Sequence, residues 1–547
     1  MLTLVRLTSV NTICYFAILA LILFHRIFFY GETLIASDFL QASPVWSEVP
    51  GAVRNPQMSD TIEYYYPAEK FASDSLRRGT IPLENPYLFN GAPVPHGIHI
   101  WNSVWPLKLL FLGLFDPVRS YDFYAIFHWW LAGVAMAAYL RHLGLSGFAA
   151  LAGATAFVLS ARASTWLHGH YMMATLAYAP LALLWGERRS RLAPLPVAGL
   201  FFSNPQAGLA VALVLFLRER ASWKSSLAGI FTAGIALAPL AVTILGGIRH
   251  PMQEAGYFWQ EKWRTWMLAF DLLWPGFWQG TMTRNEYALY LGLLPLAGVV
   301  LAWKSDRFWS RVMLVVFVAA TLWPIPVLLA PLSFSLATRY LFLFALGGAV
   351  LFARALDRHP LPAWAKAAVL VLVLVDLAPR FYAYNHTYPT SPLRERPAVA
   401  DVLRGGRVGW LLEKHPQLGR PVTPPLSLFG IASIQGYDVM VQKAQQEAVE
   451  PAGEVAGDRL IVLKDVDSPR LEALGLRWLL ADRPLSPARF VPRGRAAGVW
   501  IYENPAAPEV EPRRAPRWPV WGGALLTLAG LILAFRTKVD PPRESAL

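Results

Sequence analysis

The sequence predicts a mainly α, polytopic membrane helix bundle of about twelve spans, with amphipathic outer-loop helices and a small α/β extracytoplasmic domain. Three observations predict it. Of the 547 residues, 55% are hydrophobic and only 16% charged, with a mean hydropathy of +0.38, a balance too apolar for a soluble globule of this length. Apolar runs approaching the roughly 20 residues that a span needs recur along the chain. The net charge of +13 sits in short Lys/Arg clusters between those runs, which orients membrane helices and argues against a nucleic-acid partner.

The elements follow in order. Arg6 precedes an apolar run, but His25-Arg-Ile-Phe-Phe-Tyr30 offers no small-residue cleavage site, so the run reads as a retained helix rather than a signal peptide. Cys14 is the only cysteine, which precludes an intrachain disulfide. Spans are expected at 10–30, 121–141, 146–161, 170–186, 225–247, 286–303, 309–329, 337–356, 363–379 and 517–535. The run 192–217 is interrupted by Ser203-Asn-Pro-Gln206 and reads as two short helices meeting at a polar break that lines a cavity.

The piece 101–115 is assigned as re-entrant on the outer side. With that choice Arg141, the clusters Arg188/Arg189/Arg191, Arg218/Arg220/Lys224, Lys304/Arg307/Arg311 and Arg354/Arg358/Lys366, and finally Arg536/Lys538 all fall in the cytoplasm. Both termini are then cytoplasmic, and 31–120, 248–285 and 380–516 face outward. The expected organisation is a transmembrane domain at 1–379 carrying the first outer loop 31–120. An extracytoplasmic α/β domain at 380–516 follows, then a last transmembrane helix with its tail at 517–547.

In the first outer loop a helix is expected over 60–78, ending at Gly79. Its Ile62, Tyr65, Tyr66, Phe71 and Leu76 form an apolar-aromatic face suited to the headgroup zone. In the third segment Asp467-Ser-Pro469 starts a helix that Gly475 ends, and Arg477–Ala481 and Gly498–Tyr502 read as strands. The proline-rich stretch 504–519 is expected to be extended.

Asp60 and Asp38 are the leading candidates for chemistry, because a carboxylate at a membrane surface can deprotonate an attacking hydroxyl. Each also stands where it could simply cap a helix. Glu63 and Tyr66 beside Asp60, and Asn85 and Tyr87 in the turn-rich stretch 82–93, are candidates for the wall of a substrate cavity; a rigid surface loop is the alternative. His96, His99, His168 and His170 are expected at the same face, where plain structural roles come first, hydrogen bonding or phosphate contact second and a metal last, since the spacing is weak evidence for one. Asn204 and Gln206 occupy the break in 192–217, where they either line the cavity or satisfy freed backbone groups. Glu286 and Arg339 stand near outward span ends, and Arg339 is the natural bidentate clamp for a lipid phosphate. There is no glycine-rich phosphate loop, no His-Glu-x-x-His helix and no Gly-x-Ser-x-Gly elbow.

Several stretches resemble the YfhO-like group of large bacterial membrane proteins, assigned to the GT-C glycosyltransferase superfamily. These are Asn55-Pro-Gln-Met-Ser-Asp60 through Tyr66-Pro67, Arg78–Gly91, Asn204-Pro-Gln206, Glu286 with Tyr290–Leu296, Gly430–Asp438, Leu474–Leu480 and Trp500–Pro505. Glu84 stands where the group usually has Trp, and Ser203-Asn204 where it has Gly-His. The resemblance implies a GT-C-like fold in the bacterial cytoplasmic membrane and an acidic catalytic residue in the first outer loop, with Asp60 ahead of Asp38. It also implies a hexosyl or pentosyl transferase acting at the extracytoplasmic face. The donor would be a polyprenyl-phosphate-linked sugar and the acceptor an envelope glycan, a teichoic-acid-like polymer or a lipid. No cofactor is certain: a divalent cation, Mg or Mn, serves some GT-C enzymes and not others, and the histidines do not decide it.

Two other classes compete. A lipid-glycan flippase predicts paired ionisable groups deep within the spans and structural repeats, whereas no repeat is visible. A non-catalytic scaffold for envelope assembly would act through the α/β domain.

Overall fold

The computed structural model describes residues 9–49, 51–80, 84–89, 91–93, 105–234, 238, 271–273, 288–321, 337–418, 420–437, 441, 443–456, 460–508 and 525–532. Up to residue 384 the α-helices among them are α1 (Val10–Leu23), α2 (His25–Tyr30), α3 (Asp38–Ala42), α4 (Tyr66–Arg77), α5 (Pro106–Leu114), α6 (Pro117–His142), α7 (Gly147–Leu159), α8 (Ala161–Trp166) and α9 (His170–Glu187). They continue with α10 (Pro194–Ser203), α11 (Pro205–Arg218), α12 (Trp223–Thr232), α13 (Leu293–Ala302), α14 (Arg307–Thr321), α15 (Leu341–Arg358) and α16 (Ala363–Tyr384).

Three segments among the described residues, Pro117–His142, Thr338–Arg358 and Ala363–Tyr384, are helices long and apolar enough to cross a membrane. Shorter apolar helices accompany them, and the chain is a membrane protein. The count of about twelve spans is not reached among these residues, for identifiable reasons. The first run breaks at Phe24. The helix expected over 286–303 begins only at Leu293, after Gly292 with a positive φ of 99°. The remainders of 225–247 and 309–329, and most of 517–535, lie largely outside the described residues.

The bundle is built around α6 and α9, which run parallel. Tyr121 on α6 donates to the carbonyl of His168 just before α9, and His128 at mid-helix lies 3.0 Å from the Tyr178 hydroxyl. Tyr139 near the other end donates to Glu187 at 2.9 Å. Small residues permit the close approaches. A Cβ on Gly153 of α7 would stand 2.9 Å from the Ala349 carbonyl of α15, and one on Gly199 of α10 would stand 2.8 Å from the Tyr178 ring.

The break at Ser203-Asn204 is where the sequence places it. The 10 residues of α10 and 14 of α11 reach about 15 and 21 Å, short of a hydrocarbon core of about 30 Å. Arg189 Nη2, ahead of α10, donates to Glu219 Oε1, after α11, at 3.2 Å. The pair is therefore a helical hairpin with both feet at one end of the bundle. From the opposite end comes α5, only 9 residues long and hence likewise too short to cross. Trp105 at its start meets Phe202 at the hairpin tip, ring centroids 4.9 Å apart, and donates to Tyr178 at 2.9 Å.

The α/β segment after α16 carries a four-stranded sheet of β3 (Arg407–Leu411), β6 (Leu476–Ala481), β8 (Val499–Glu503) and β7 (Val491–Ala496) in that spatial order. β3 pairs parallel to β6, and the other neighbours are antiparallel. The expected helix stands at Pro469–Ala473, capped by Ser468, and Gly475 has a φ of 78°. Hydrophobic residues pack on both faces of the sheet, and each face takes a side chain from the first loop: Phe89 on one, Val45 on the other. The strand pair β1 (Glu84–Asn85) and β2 (Ala92–Pro93) brackets Phe89, and a second pair, β4 (Gly453–Ala456) and β5 (Leu460–Leu463), flanks the sheet.

Candidate active site at the junction of the first loop and the α/β segment

Residues 55–77 form three successive kinds of helical turn rather than the single helix expected over 60–78. Asn55 caps the 3₁₀ turn Pro56–Met58 by accepting from Gln57 N at 3.0 Å, and its Nδ2 donates to the Tyr384 carbonyl at the end of α16 at 3.0 Å. A π turn covers Thr61–Tyr65. Pro67 has no N–H to offer the Glu63 carbonyl, and the Tyr66 N–H instead reaches back to Thr61 O. Such widened turns recur at functional sites. The α-helix α4 follows, and Gly79 adopts φ 71° just beyond it.

The apolar-aromatic face does not lie among headgroups. Ile62, Tyr65, Tyr66 and Phe71 are all buried within the protein, with Tyr65 edge-on to Tyr171 of α9 at 5.4 Å. The same periodicity serves a lipid surface or a protein groove, and here the bundle supplies the partner.

Asp60 does not cap the turn that follows it, since its side chain makes no cap hydrogen bond. Its Oδ1 accepts from the Tyr437 hydroxyl at 2.8 Å, and the residue stays partly exposed. Glu63, one turn on, is 4% exposed and fully engaged. Arg420 Nη1 donates to its Oε1 at 2.8 Å and Nη2 to its Oε2, while Thr423 N donates to Oε1 at 2.7 Å. Arg420 Nη2 also donates to Ser59 Oγ at 3.2 Å, and its guanidinium lies 5.1 Å over the Tyr437 ring. Burial works against the Arg420 charge, yet the Glu63 carboxylate overrides it and holds the guanidinium firmly protonated. With Glu63 spent on Arg420, the described residues offer no second open carboxylate at Asp60, and this turn does not fit a divalent-cation site.

Asp38 occupies a separate setting at the start of α3. Its Oδ2 accepts from Arg54 N at 2.8 Å, while Oδ1 is buried without a hydrogen-bond partner among the described residues. Burial pushes this carboxyl above the ordinary range, partly offset by the Arg54 N–H and charge.

Deeper, α4 is anchored to the bundle by ionised groups. Lys108 Nζ of α5 donates to Glu69 Oε1 at 2.5 Å, both side chains essentially without exposure, and His170 Nε2 lies 3.2 Å from Glu69 Oε2. The ammonium also lies 4.4 Å over the Tyr124 ring. Burial raises the Glu69 carboxyl and Lys108 pulls it back. Asp122 of α6 accepts from Thr33 Oγ1 at 2.9 Å and Leu34 N at 2.8 Å, which ties the loop's beginning to the same end of the bundle.

The remaining sequence candidates divide clearly. His168 and His170 are buried beside the site, at 1% and 3% exposure. Tyr66 is buried beneath it, and burial raises its phenol. Asn85 forms a local turn, accepting from Tyr87 N at 3.0 Å, and the Tyr87 carbonyl accepts from Ser433 N at 3.0 Å, which joins this stretch to the α/β segment. Asn204 caps α11 by accepting from Ala207 N at 3.2 Å, while Gln206 is buried in its first turn. Arg339 stands in the 3₁₀ turn Ala337–Tyr340 ahead of α15. Glu286, His96 and His99 lie outside the described residues. Among the described residues no group of three or more His, Cys, Asp or Glu is placed to hold a metal.

Sequence reasoning missed Tyr437, Arg420, Glu69, Lys108 and Asp122. Lys108 carried a signal: a lone lysine inside an apolar piece too short to span needs a buried acidic partner. Tyr437 lies within the Gly430–Asp438 stretch, but nothing in its spacing pairs it with Asp60, 377 residues away.

No protein-family model matches the chain, and no curated protein matches it either. Among solved structures it resembles a mutant form of the arabinofuranosyltransferase AftD from Mycobacteria, determined by single-particle cryo-electron microscopy. The likeness has 16% identity and a TM-score of 0.49, over 86% of this chain and 41% of that one. The chain thus spans less than half the length of that protein, and a likeness this distant leaves activity to be argued from the site. None of these comparisons shows the YfhO-like group.

Proposed function

We propose that the protein is an integral-membrane glycosyltransferase of the GT-C type, transferring a sugar from a polyprenyl-phosphate donor to an envelope acceptor at the extracytoplasmic face. Asp60 is its general base. The observation that carries the reading is the state of that carboxylate: partly exposed, held through Oδ1 by Tyr437, and not used as a cap. Oδ2 has no hydrogen-bond partner among the described residues and is available to an acceptor hydroxyl. As the acceptor oxygen bonds to the anomeric carbon, its proton passes to Asp60. The bond between that carbon and the phosphate oxygen breaks, and the polyprenyl phosphate leaves with the electron pair. Glu63, Tyr66, Asn85, Tyr87, His168, His170, Asn204, Gln206 and Arg339, with His96 and Glu286, form the proposed substrate-binding set. Arg339 is the proposed phosphate clamp.

The site's orientation follows from charge. Arg189, Arg218 and Arg354 stand at the bundle end opposite Asp60, paired with Glu219, Glu187 and Asp306, so the positive-inside rule turns Asp60 outward. The test is transfer from a polyprenyl-phosphate hexose by Asp60→Asn, Asp38→Asn and the double variant. Loss in D60N supports the reading; full activity in the double variant overturns it.

A second reading, lipid-glycan translocation, is favoured by one observation: Glu69–Lys108 and Asp122 are ionisable groups buried in the bundle. Reconstituted protein that moves a labelled polyprenyl-phosphate sugar across vesicles, with no transfer to any acceptor, would establish it instead.

A further inference from the structure

We propose that Tyr437 is a positioning residue for Asp60, so that the α/β segment completes the active site rather than serving beside it; this rests on the reading of Asp60 as the base. Tyr437 is immobilised on several sides. Its backbone forms an antiparallel bridge with Leu460 of β5, and its ring is 4% exposed beneath the Arg420 guanidinium. Gly436 runs against Phe89 so closely that a Cβ there would lie 3.2 Å from the ring.

The hydroxyl therefore arrives at Asp60 Oδ1 from a fixed direction, 2.8 Å away. A carboxylate rotates about its terminal bond, and one firmly held oxygen fixes where the other points. Arg420 holds the opposite side of the arrangement: it grips Glu63 bidentately and touches Ser59, the residues flanking Asp60 on the same turn. Bidentate pairing resists rotation as well as separation. Ser59, Asp60 and Glu63 are thus all engaged by side chains of the α/β segment, and the base is oriented only while that segment is docked.

Tyr437→Phe removes one oxygen and leaves the ring and its packing in place. Its loss leaves Asp60 Oδ1 without the hydroxyl that holds it, and the carboxylate is then free to turn away from the acceptor hydroxyl. The lost hydrogen bond is read on full-length protein in lipid nanodiscs as a displacement of the Asp60 carboxylate stretching band, by infrared spectroscopy with isotope-labelled aspartate, D60N assigning the band. Transfer from a polyprenyl-phosphate hexose is measured in parallel. A displaced carboxylate band and a fall in kcat with KM unchanged are expected. An unmoved band or an unchanged kcat in folded Y437F overturns the proposal. If D60N transfers as well as the wild type while Y437F still moves the band, the general-base reading fails and, with it, any positioning role in catalysis. Should Y437F not fold, Arg420→Lys loosens the Tyr437 ring while keeping the charge; a displaced band supports the proposal, and an unmoved one overturns it.

Discussion

The two ends of the helix bundle carry ion pairs of different kinds. At one end Glu187 receives Arg218 Nε at 2.5 Å with His142 3.4 Å away, Arg189 meets Glu219 and Arg354 meets Asp306, all partly exposed. These pairs join helix termini to one another at the polar boundary, where such contacts contribute little. At the other end Glu69, Lys108, Asp122 and Glu63 are withdrawn from solvent, and each binds a segment distant in sequence. Burial of that kind costs desolvation that only well-formed partners repay. One end uses charge to border the bundle; the other uses it to hold a loop and an α/β segment in register around Asp60.

That contrast can be broken in graded steps. The largest effect belongs to Asp60→Asn, expected to slow transfer by about 10²–10⁴; a deeper loss in Asp38→Asn would move the base to Asp38. Next comes Glu69→Gln, which leaves the Lys108 ammonium buried without its counter-charge and is expected to cost about 3–5 kcal/mol. Thermal inactivation in detergent measures it, and adding Lys108→Met should return much of the loss. Arg420→Gln comes third, at about 1.5–3 kcal/mol, visible as faster proteolysis of the α/β segment. Last is Arg189→Gln, at the end of the bundle away from the site, expected to change stability by about 1 kcal/mol or less and transfer not at all. A large effect there would erase the distinction between the ends.

Asp38 sharpens the comparison through pH. Its carboxyl is raised in the folded state by burial, so the native protein binds that proton more tightly than the unfolded chain. Stability is then greatest below the unfolded carboxylate range and falls as pH rises through the elevated folded value. D38N should flatten that fall and leave the protein as stable or more stable at neutral pH, which equilibrium unfolding across pH 4–8 (a range of about four units) would detect.

Much of the fold was legible because the local physics was sufficient. Ser203-Asn-Pro-Gln206 had to break a helix, Ser468-Pro469 had to start one and Gly475 had to end one. The short apolar and aromatic runs 477–481 and 498–502 read as strands, and burial of both sheet faces explains why they do not alternate. The site was legible only on its own side of the chain. The prominence of Asp60 followed from its loop, but the hydroxyl that holds it comes from residue 437 and the arginine over that ring from residue 420. Neither relation leaves a periodic trace. The aromatic face of 60–78 misled for a related reason: periodicity reports that a face is buried, not whether lipid or protein buries it.

The helical hairpin α10–α11 has a further consequence for how the chain is threaded during synthesis. Because Arg189 and Glu219 close its base, the segment enters and leaves the bilayer on the same side and contributes nothing to the parity of crossings. Excising 192–219 should therefore leave every downstream loop on its original face, as reporter fusions after Trp303 and Arg358 would register. The fused protein would be correctly threaded while lacking the tip that meets Trp105.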